Sequence, residues 1–291
     1  MMRPKALHDD DYLGHYREFG YAVVKGVFDA DEVNELSLAF DRVRAHALAH
    51  RGSFRHQNIF FRVVPDRALG RIVRYVQWPS YFDNVLARFR TDRRLLAIIA
   101  PLLGVDLKQI INQMHWKPPG AEMAEFGYHQ DIRFRRPRTA YRAAAQSYVQ
   151  TAIAIDPHRR ENGAMTLYPG SHKLGELTFP ERGRIMDRVK SDADLVALDL
   201  DPGNLVDLIL DPGDVAIWNL HTVHGSGPNT SRMDRRVYLN GYVKADTCER
   251  GEWAFRAGEP CNLGAPVLVH YEDLHNRPDP HYVDEAYTKS R

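Results

Sequence analysis

The apolar residues of this chain change their period near residue 106. Before it they recur mostly every three or four residues; after it they alternate or form short blocks closed by Gly and Pro. DDDYLGHYREFG reads as a short helix ended at Gly20, and the residues after it as a strand through Tyr21 to Phe28. Asp29, with Glu32 three positions on, has the form of a capping box. It opens an amphipathic helix whose Val33, Leu36, Phe40 and Val43 share one face, a stripe read as core. A second helix is expected over Thr91 to Leu103. From Asp106 on, LKQIINQMHW, YVQTAIAID, AMTLYPG, DVAIWNL and RVYLNGYV read as strands, punctuated by the turn signals Pro169-Gly170-Ser171 and Pro212-Gly213-Asp214. The pattern predicts a mainly β protein with flanking helices, built on two antiparallel sheets. We divide it as one domain: a mostly helical part over 1–105, a β core over 106–250 carrying a charged insertion at 174–208, and an extension over 251–291.

Composition narrows the setting. At 291 residues the chain can bury a sizeable core as a single domain. Its 39 basic and 38 acidic residues nearly cancel, so nothing marks a nucleic-acid or membrane-surface partner. Cys248 and Cys261 are its only cysteines, without zinc-ribbon spacing, and no long apolar run is present. We expect a cytoplasmic protein without disulfides. The oligomeric state is not read from the sequence.

The candidate chemistry begins at YHQD. On an extended segment His129 and Asp131 project from one face while Gln130 points away, so one short strand can supply two metal ligands. His224 follows 93 residues after Asp131 and must arrive through tertiary structure. Two imidazoles and a carboxylate on one face of a metal leave the opposite positions open, the ligand set of non-haem Fe(II) oxygenases. Arg235 stands eleven residues after His224 and shares the parity of Val237, Leu239 and Gly241 at the entrance of a strand. Its planar fork suits the far carboxylate of a dicarboxylate co-substrate. The neighbouring Arg236 would point the other way and stays an alternative. Among the remaining histidines, His115 shares a face with Gln113 and Lys117; it either borders the pocket or is a buried imidazole satisfied by the backbone. His158, His172, His221, His270, His275 and His281 are read as solvated, core or supporting residues.

Five ordered blocks, NQMHWKPPG at 112–120, YHQD at 128–131, ENGAMTLYPGSHK at 161–173, DPGDVAIWN at 211–219 and HGSGPNTSRMDRR at 224–236, resemble the phytanoyl-CoA dioxygenase family of Fe(II)/2-oxoglutarate-dependent oxygenases. The first hundred residues match only in general style. The resemblance implies a double-stranded β-helix (jelly-roll, cupin-like) core, with iron on His129, Asp131 and His224, the distal carboxylate of 2-oxoglutarate on Arg235, and dioxygen as the second co-substrate. It also suggests co-substrate contacts at Gln113 and Ser226. At Gln150 relatives often carry Trp, so this chain departs from the pattern there. The implied reaction is oxidative decarboxylation of 2-oxoglutarate to succinate and carbon dioxide, with hydroxylation or desaturation of a substrate C–H bond. Asp131 fills the position that related halogenases leave vacant for chloride.

A small organic molecule, a specialised metabolite, is the expected substrate, with a fatty-acyl-CoA as the runner-up. RFRRPRTAYR packs Arg133, Arg135, Arg136, Arg138 and Arg142 into ten residues. Such a run is ordinarily a solvated face; the alternative is a loop drawing an anionic substrate group toward the site, with Arg133, Arg135 and His115 as its contacts. The insertion at 174–208 is a candidate lid. A zinc-dependent hydrolase and a non-catalytic cupin-like binding protein are the competing classes.

Overall fold

The computed structural model describes residues 11–121, 124–180, 191–265 and 279–283. The chain opens with α1 (Tyr12–Phe19), β1 (Tyr21–Val24) and α2 (Ala30–Leu48). The expected capping box is formed: the Glu32 amide donates to Asp29 Oδ1 at 2.9 Å and the Asp29 amide to Glu32 Oε2 at 3.0 Å. β1 stops four residues before the predicted Phe28, where Gly26 turns the chain with φ of 60° and donates to Asp214 Oδ1.

The first hundred residues are less helical than their sequence suggested. Between α2 and the next helices lie three strands, β2 (Phe54–His56), β3 (Ile59–Asp66) and β4 (Gly70–Gln77). Arg55, Arg62 and Arg74 interrupt their apolar alternation, which hides them from a sequence reading. Arg62 pairs in register with Tyr75 and Tyr75 with His115, so this row shares the face of His115 on the next strand. α3 (Asn84–Phe89) and α4 (Arg93–Leu103) follow, capped by the side chains of Asp83 and Asp92.

The core strands are β5 (Leu107–Lys117), β6 (Phe126–His129) and, after the short α5 (Ala144–Ser147), β7 (Tyr148–Ala154) and β8 (Met165–Leu167). After α6 (Asp192–Val196) come β9 (Val206–Asp207), β10 (Val215–Asn219), β11 (His224–Ser226) and β12 (Arg235–Lys244). β13 (Glu252–Arg256), β14 (Glu259–Pro260) and β15 (His281–Tyr282) close the described chain. Among the described residues the strands form a large antiparallel sheet in the order β1-β10-β7-β12-β5-β4-β3-β2-β15, with β13 also on β5, and a small sheet β6-β11-β8-β9. The two antiparallel sheets that the alternation predicted make the jelly-roll sandwich that the family resemblance implied.

Alternation along β12 divides two interiors. Tyr238 and Tyr242 face outward into the cluster formed with Leu36, Phe40 and Val43 of α2 and Leu95 and Ile99 of α4. Val237 faces the other way, packing with Ala152, Ala154, Ala216, Trp218 and, from the small sheet, Leu167. Residues 181–190 of the proposed lid, and His270 and His275, lie outside the described residues. The described remainder of the insertion is anchored: Phe179, Leu195 and Leu200 are buried with Val223 beside the small sheet. Among the described residues no helix is long and apolar enough to cross a membrane.

Candidate metal and co-substrate site

The long sequence gap between the histidines closes by strand pairing. β6 and β11 run antiparallel with His129 directly opposite His224, and the two imidazole centroids lie 4.3 Å apart. Gly225 permits this approach, since a Cβ there would lie 2.9 Å from the Tyr128 ring and 3.0 Å from the Phe126 carbonyl. Gln130 is extended, as expected, and turns its side chain away, while Asp131 begins a short 3-10 turn over Asp131–Phe134. The buried Gln130 amide ties down the next loops: Nε2 donates to the carbonyls of Gly175 (2.8 Å) and His221 (2.7 Å), and Oε1 accepts from the Leu177 amide.

One donor atom from each of His129, Asp131 and His224 can be drawn with all three within 4.8 Å of one another. Asp131 Oδ1 lies 3.8 Å from His129 Nε2 and 3.9 Å from His224 Nε2. Each imidazole has its Nδ1 at a backbone carbonyl, Gly127 at 2.8 Å and Thr222 at 2.9 Å. A carbonyl can only accept, so both Nδ1 atoms donate and both Nε2 atoms are left for a metal, the arrangement that orients metal-bound histidines. Asp131 Oδ2 accepts from Trp218 Nε1 at 3.2 Å, leaving Oδ1 to face the histidines. Burial and the neighbouring His224 hold His129 down to about 3, so its imidazole is neutral. Burial alone would raise the Asp131 carboxyl, but His224, His129, Arg135 and the Trp218 donor together hold it below its ordinary value. The donor set fits a divalent metal on one face.

The two candidate arginines separate cleanly. Arg236 is consumed by the protein: Nε and Nη2 fork onto Asp156 at 2.8 Å each, and the guanidinium lies over the Trp116 ring at 5.2 Å. Arg235 is buried on the opposite face, its Nε without a hydrogen-bond partner. Burial pushes its guanidinium down to about 10, against a partial opposing pull from Asp156. Directly across on β5 stands Lys117, whose ammonium donates to Ser226 Oγ at 2.8 Å and to the Gly227 carbonyl. Burial, then the nearby Arg235, pushes this lysine well below its ordinary range. Two buried cations side by side fit a carboxylate between them. In sequence KPPG is only a landmark, and nothing in it announces an inward ammonium.

The other expected contacts divide. Gln113 and His115 lie on the same inner face, joined by a 2.8 Å hydrogen bond, with His115 stacked on Tyr75 at 5.6 Å. Burial, then the charges of Arg235, Arg74 and Lys117, pushes His115 well below its ordinary value. Gln150 is engaged within the protein: it accepts from the Tyr148 hydroxyl and donates to the Thr151 carbonyl. In the arginine run, Arg138 pairs with Glu176, Arg142 bonds the Asp246 carbonyl and Arg133 lies over Phe179 at 4.6 Å. Only Arg135 of the five is buried. Trp218 is the supporting residue that sequence reasoning missed, because its donor tip is invisible inside the apolar run VAIWN.

Similarity to known proteins agrees with this geometry. The family described as phytanoyl-CoA dioxygenase (PhyH) matches residues 16–237. The "probable alpha-ketoglutarate-dependent hypophosphite dioxygenase" of Stutzerimonas stutzeri is 27% identical over 234 residues, covering 79% of this chain and 77% of that protein. Among solved structures, EctD from S. alaskensis with 2-oxoglutarate and 5-hydroxyectoine superposes with a TM-score of 0.64 at 19% identity, covering 87% of each chain. The epimerase SnoN in complex with Fe3+, alpha ketoglutarate and nogalamycin RO gives 0.57 at 22%, covering 89% of this chain and 94% of SnoN. At such identities these likenesses speak for the fold.

Proposed function

The chain belongs to the phytanoyl-CoA dioxygenase family of Fe(II)/2-oxoglutarate-dependent oxygenases, and from that premise we propose that it hydroxylates or desaturates an unactivated C–H bond of a small specialised metabolite. One observation carries the reading: three donors, two of them on buried histidines, converge where a metal would sit, and the nearby cations Arg235 and Lys117 face the same interior. In this assignment His129, Asp131 and His224 hold the iron, and Arg235 holds the distal carboxylate of 2-oxoglutarate, with Lys117 and Ser226 beside it. When bound, the iron and 2-oxoglutarate supply the oxidising chemistry, in which dioxygen converts the co-substrate to succinate and carbon dioxide and oxidises the substrate.

The protein's own residues prepare that event. The carbonyls of Gly127 and Thr222 fix the histidine tautomers, and Trp218 holds one Asp131 oxygen so that the other is presented. The Asp131 carboxylate would be the third protein ligand of that iron, which favours hydroxylation or desaturation over halogenation. The half-buried residues Gln113, His115 and Leu239 share the inner face with Arg235 and Lys117. A hydrolase would leave Arg235 and Lys117 without a task. A cytoplasmic location belongs to the same proposal, supported by the unbonded Cys248 and Cys261.

The test is an anaerobic titration of the Fe(II) protein with 2-oxoglutarate, followed by succinate release in air across a metabolite panel. We expect a weak visible metal-to-ligand absorption, and succinate release that rises with one chemical class. Turnover in the absence of dioxygen or of a 2-oxo acid would overturn the assignment.

A further inference from the structure

Two of the buried guanidiniums, those of Arg235 and Arg135, lie toward opposite ends of the inner face of the large sheet. Arg235 and Lys117 mark one end, where β12 enters and β5 leaves. Six residues along β12, Gly241 pairs with Gln150 of β7, and Gln150 pairs in turn with Trp218 of β10, whose indole holds Asp131. Beyond Gln150 stands Tyr148, and against its ring, at 5.2 Å, lies the guanidinium of Arg135. This second arginine is 2% exposed. Its Nε and Nη1 are buried without a hydrogen-bond partner, and Nη2 meets only the Tyr148 hydroxyl, at 3.5 Å.

A fully buried guanidinium with two open N–H directions is costly unless an anion completes it. Burial opposes its charge, while Tyr148 and then Asp131 hold the guanidinium above its ordinary value; yet one oxygen of Asp131 is held by Trp218 and the other faces the histidines, so neither bonds the fork. The metal-binding group therefore sits between two incomplete cations. Arg235 accounts for the far carboxylate of the co-substrate, which leaves Arg135 for something else.

We propose that Arg135 is a substrate-anchoring residue, and that the substrate carries an anionic group, a carboxylate or a phosphorus oxyanion, which the Arg135 fork holds while the C–H bond to be oxidised lies toward His129, Asp131 and His224. This rests on the Fe(II)/2-oxoglutarate reading above and specifies its substrate class. It also singles out one residue of the arginine run, since its neighbours are exposed or spend their side chains on Glu176, Asp246 or Phe179. A planar fork at this depth selects for an anion and against its neutral isostere, which leaves the guanidinium uncompensated.

The experiment uses the full chain, anaerobic, with Fe(II) and saturating 2-oxoglutarate. Butyrate and methylphosphonate are titrated against the neutral butyramide, and binding is read as perturbation of the visible absorption. We expect at least one of the two anions to act at a concentration at least tenfold below the amide. Arg135→Gln should abolish that preference while leaving half-saturation by 2-oxoglutarate within twofold, and Arg135→Lys should keep part of it. A carboxylate-only or phosphonate-only response would identify the group. The proposal is overturned if the wild type responds no more to either anion than to the amide. It is equally overturned if Arg135→Gln weakens 2-oxoglutarate tenfold with the preference intact, which would assign the guanidinium to the co-substrate. Absence of the visible band in the wild type would count against the Fe(II)/2-oxoglutarate reading alone. The anion–amide comparison is then made by the thermal shift of the metal-free chain, where an anion preference lost in Arg135→Gln supports the anchor and equal shifts overturn it.

Discussion

Three buried arginines, on the two faces of one sheet, behave in opposite ways. On the outer face Arg90, 1% exposed, is saturated by the protein: Nε donates to Gln109 Oε1 at 2.6 Å, Nη1 to the Cys261 carbonyl at 3.0 Å and Nη2 to the Trp253 carbonyl at 2.7 Å. Gln109 continues to Asn240, and Asn112 joins Asn240 to the Tyr238 hydroxyl, under the helices. On the inner face Arg235 and Arg135 are almost as deeply buried, yet both keep N–H groups without a partner. A buried charge completed by its own protein is architecture; one left incomplete beside a metal-binding cluster is a place for a ligand. Composition cannot draw this distinction, because all three are the same residue at nearly the same depth.

The contrast can be broken most severely at the metal. His224→Ala should abolish Fe(II) retention and turnover together, checked by metal analysis of the purified protein and by succinate release; retained iron would remove His224 from the ligand set. Next in size is Arg235→Gln, which deletes a charge-assisted fork and should raise the KM for 2-oxoglutarate by about 100-fold, from roughly 3 kcal/mol of lost binding. The same change at Arg236 should leave that KM alone and instead lower the melting temperature, because it leaves Asp156 with only the backbone amide of residue 236 as a donor. Equal effects on KM from the two variants would erase the distinction between them.

Trp218→Phe keeps the ring and removes only the donor to Asp131. Loss of such a supporting hydrogen bond should weaken Fe(II) affinity by about 10-fold to 100-fold, read by competition with a chelator, while the KM for 2-oxoglutarate stays put. Arg90→Gln tests the outer face: it breaks three hydrogen bonds in a buried network and should destabilise the fold by about 2–4 kcal/mol, with activity per folded molecule unchanged. Arg235→Gln, by contrast, removes an uncompensated charge and should leave the ligand-free protein as stable as before, or more so. Paired denaturation curves of the two variants would show whether the faces differ as described.

Much of this was legible from residues alone, for identifiable reasons. The period-2 alternation in β12 placed Arg235 with Val237 and Leu239, and the pairing of β12 with β5 and β7 keeps them on one face. The H-x-D spacing put two ligands on one face, although Asp131 turns out to open a 3-10 turn. Strands β2 to β4 were not legible, because arginines break their alternation. Nor was the inward ammonium of Lys117, whose direction depends on β5 pairing with β12 and on Ser226 arriving from β11. Arg135 was visible only as one of five arginines, since burial is a property of the folded neighbourhood that spacing does not carry.

The most direct measurement is diffraction at the iron absorption edge from crystals grown anaerobically with Fe(II) and 2-oxoglutarate. One anomalous peak is expected among His129 Nε2, His224 Nε2 and an Asp131 oxygen, with the far carboxylate of 2-oxoglutarate on Arg235. A peak elsewhere, or a co-substrate turned so that this carboxylate rests on Arg135, would contradict the assignment.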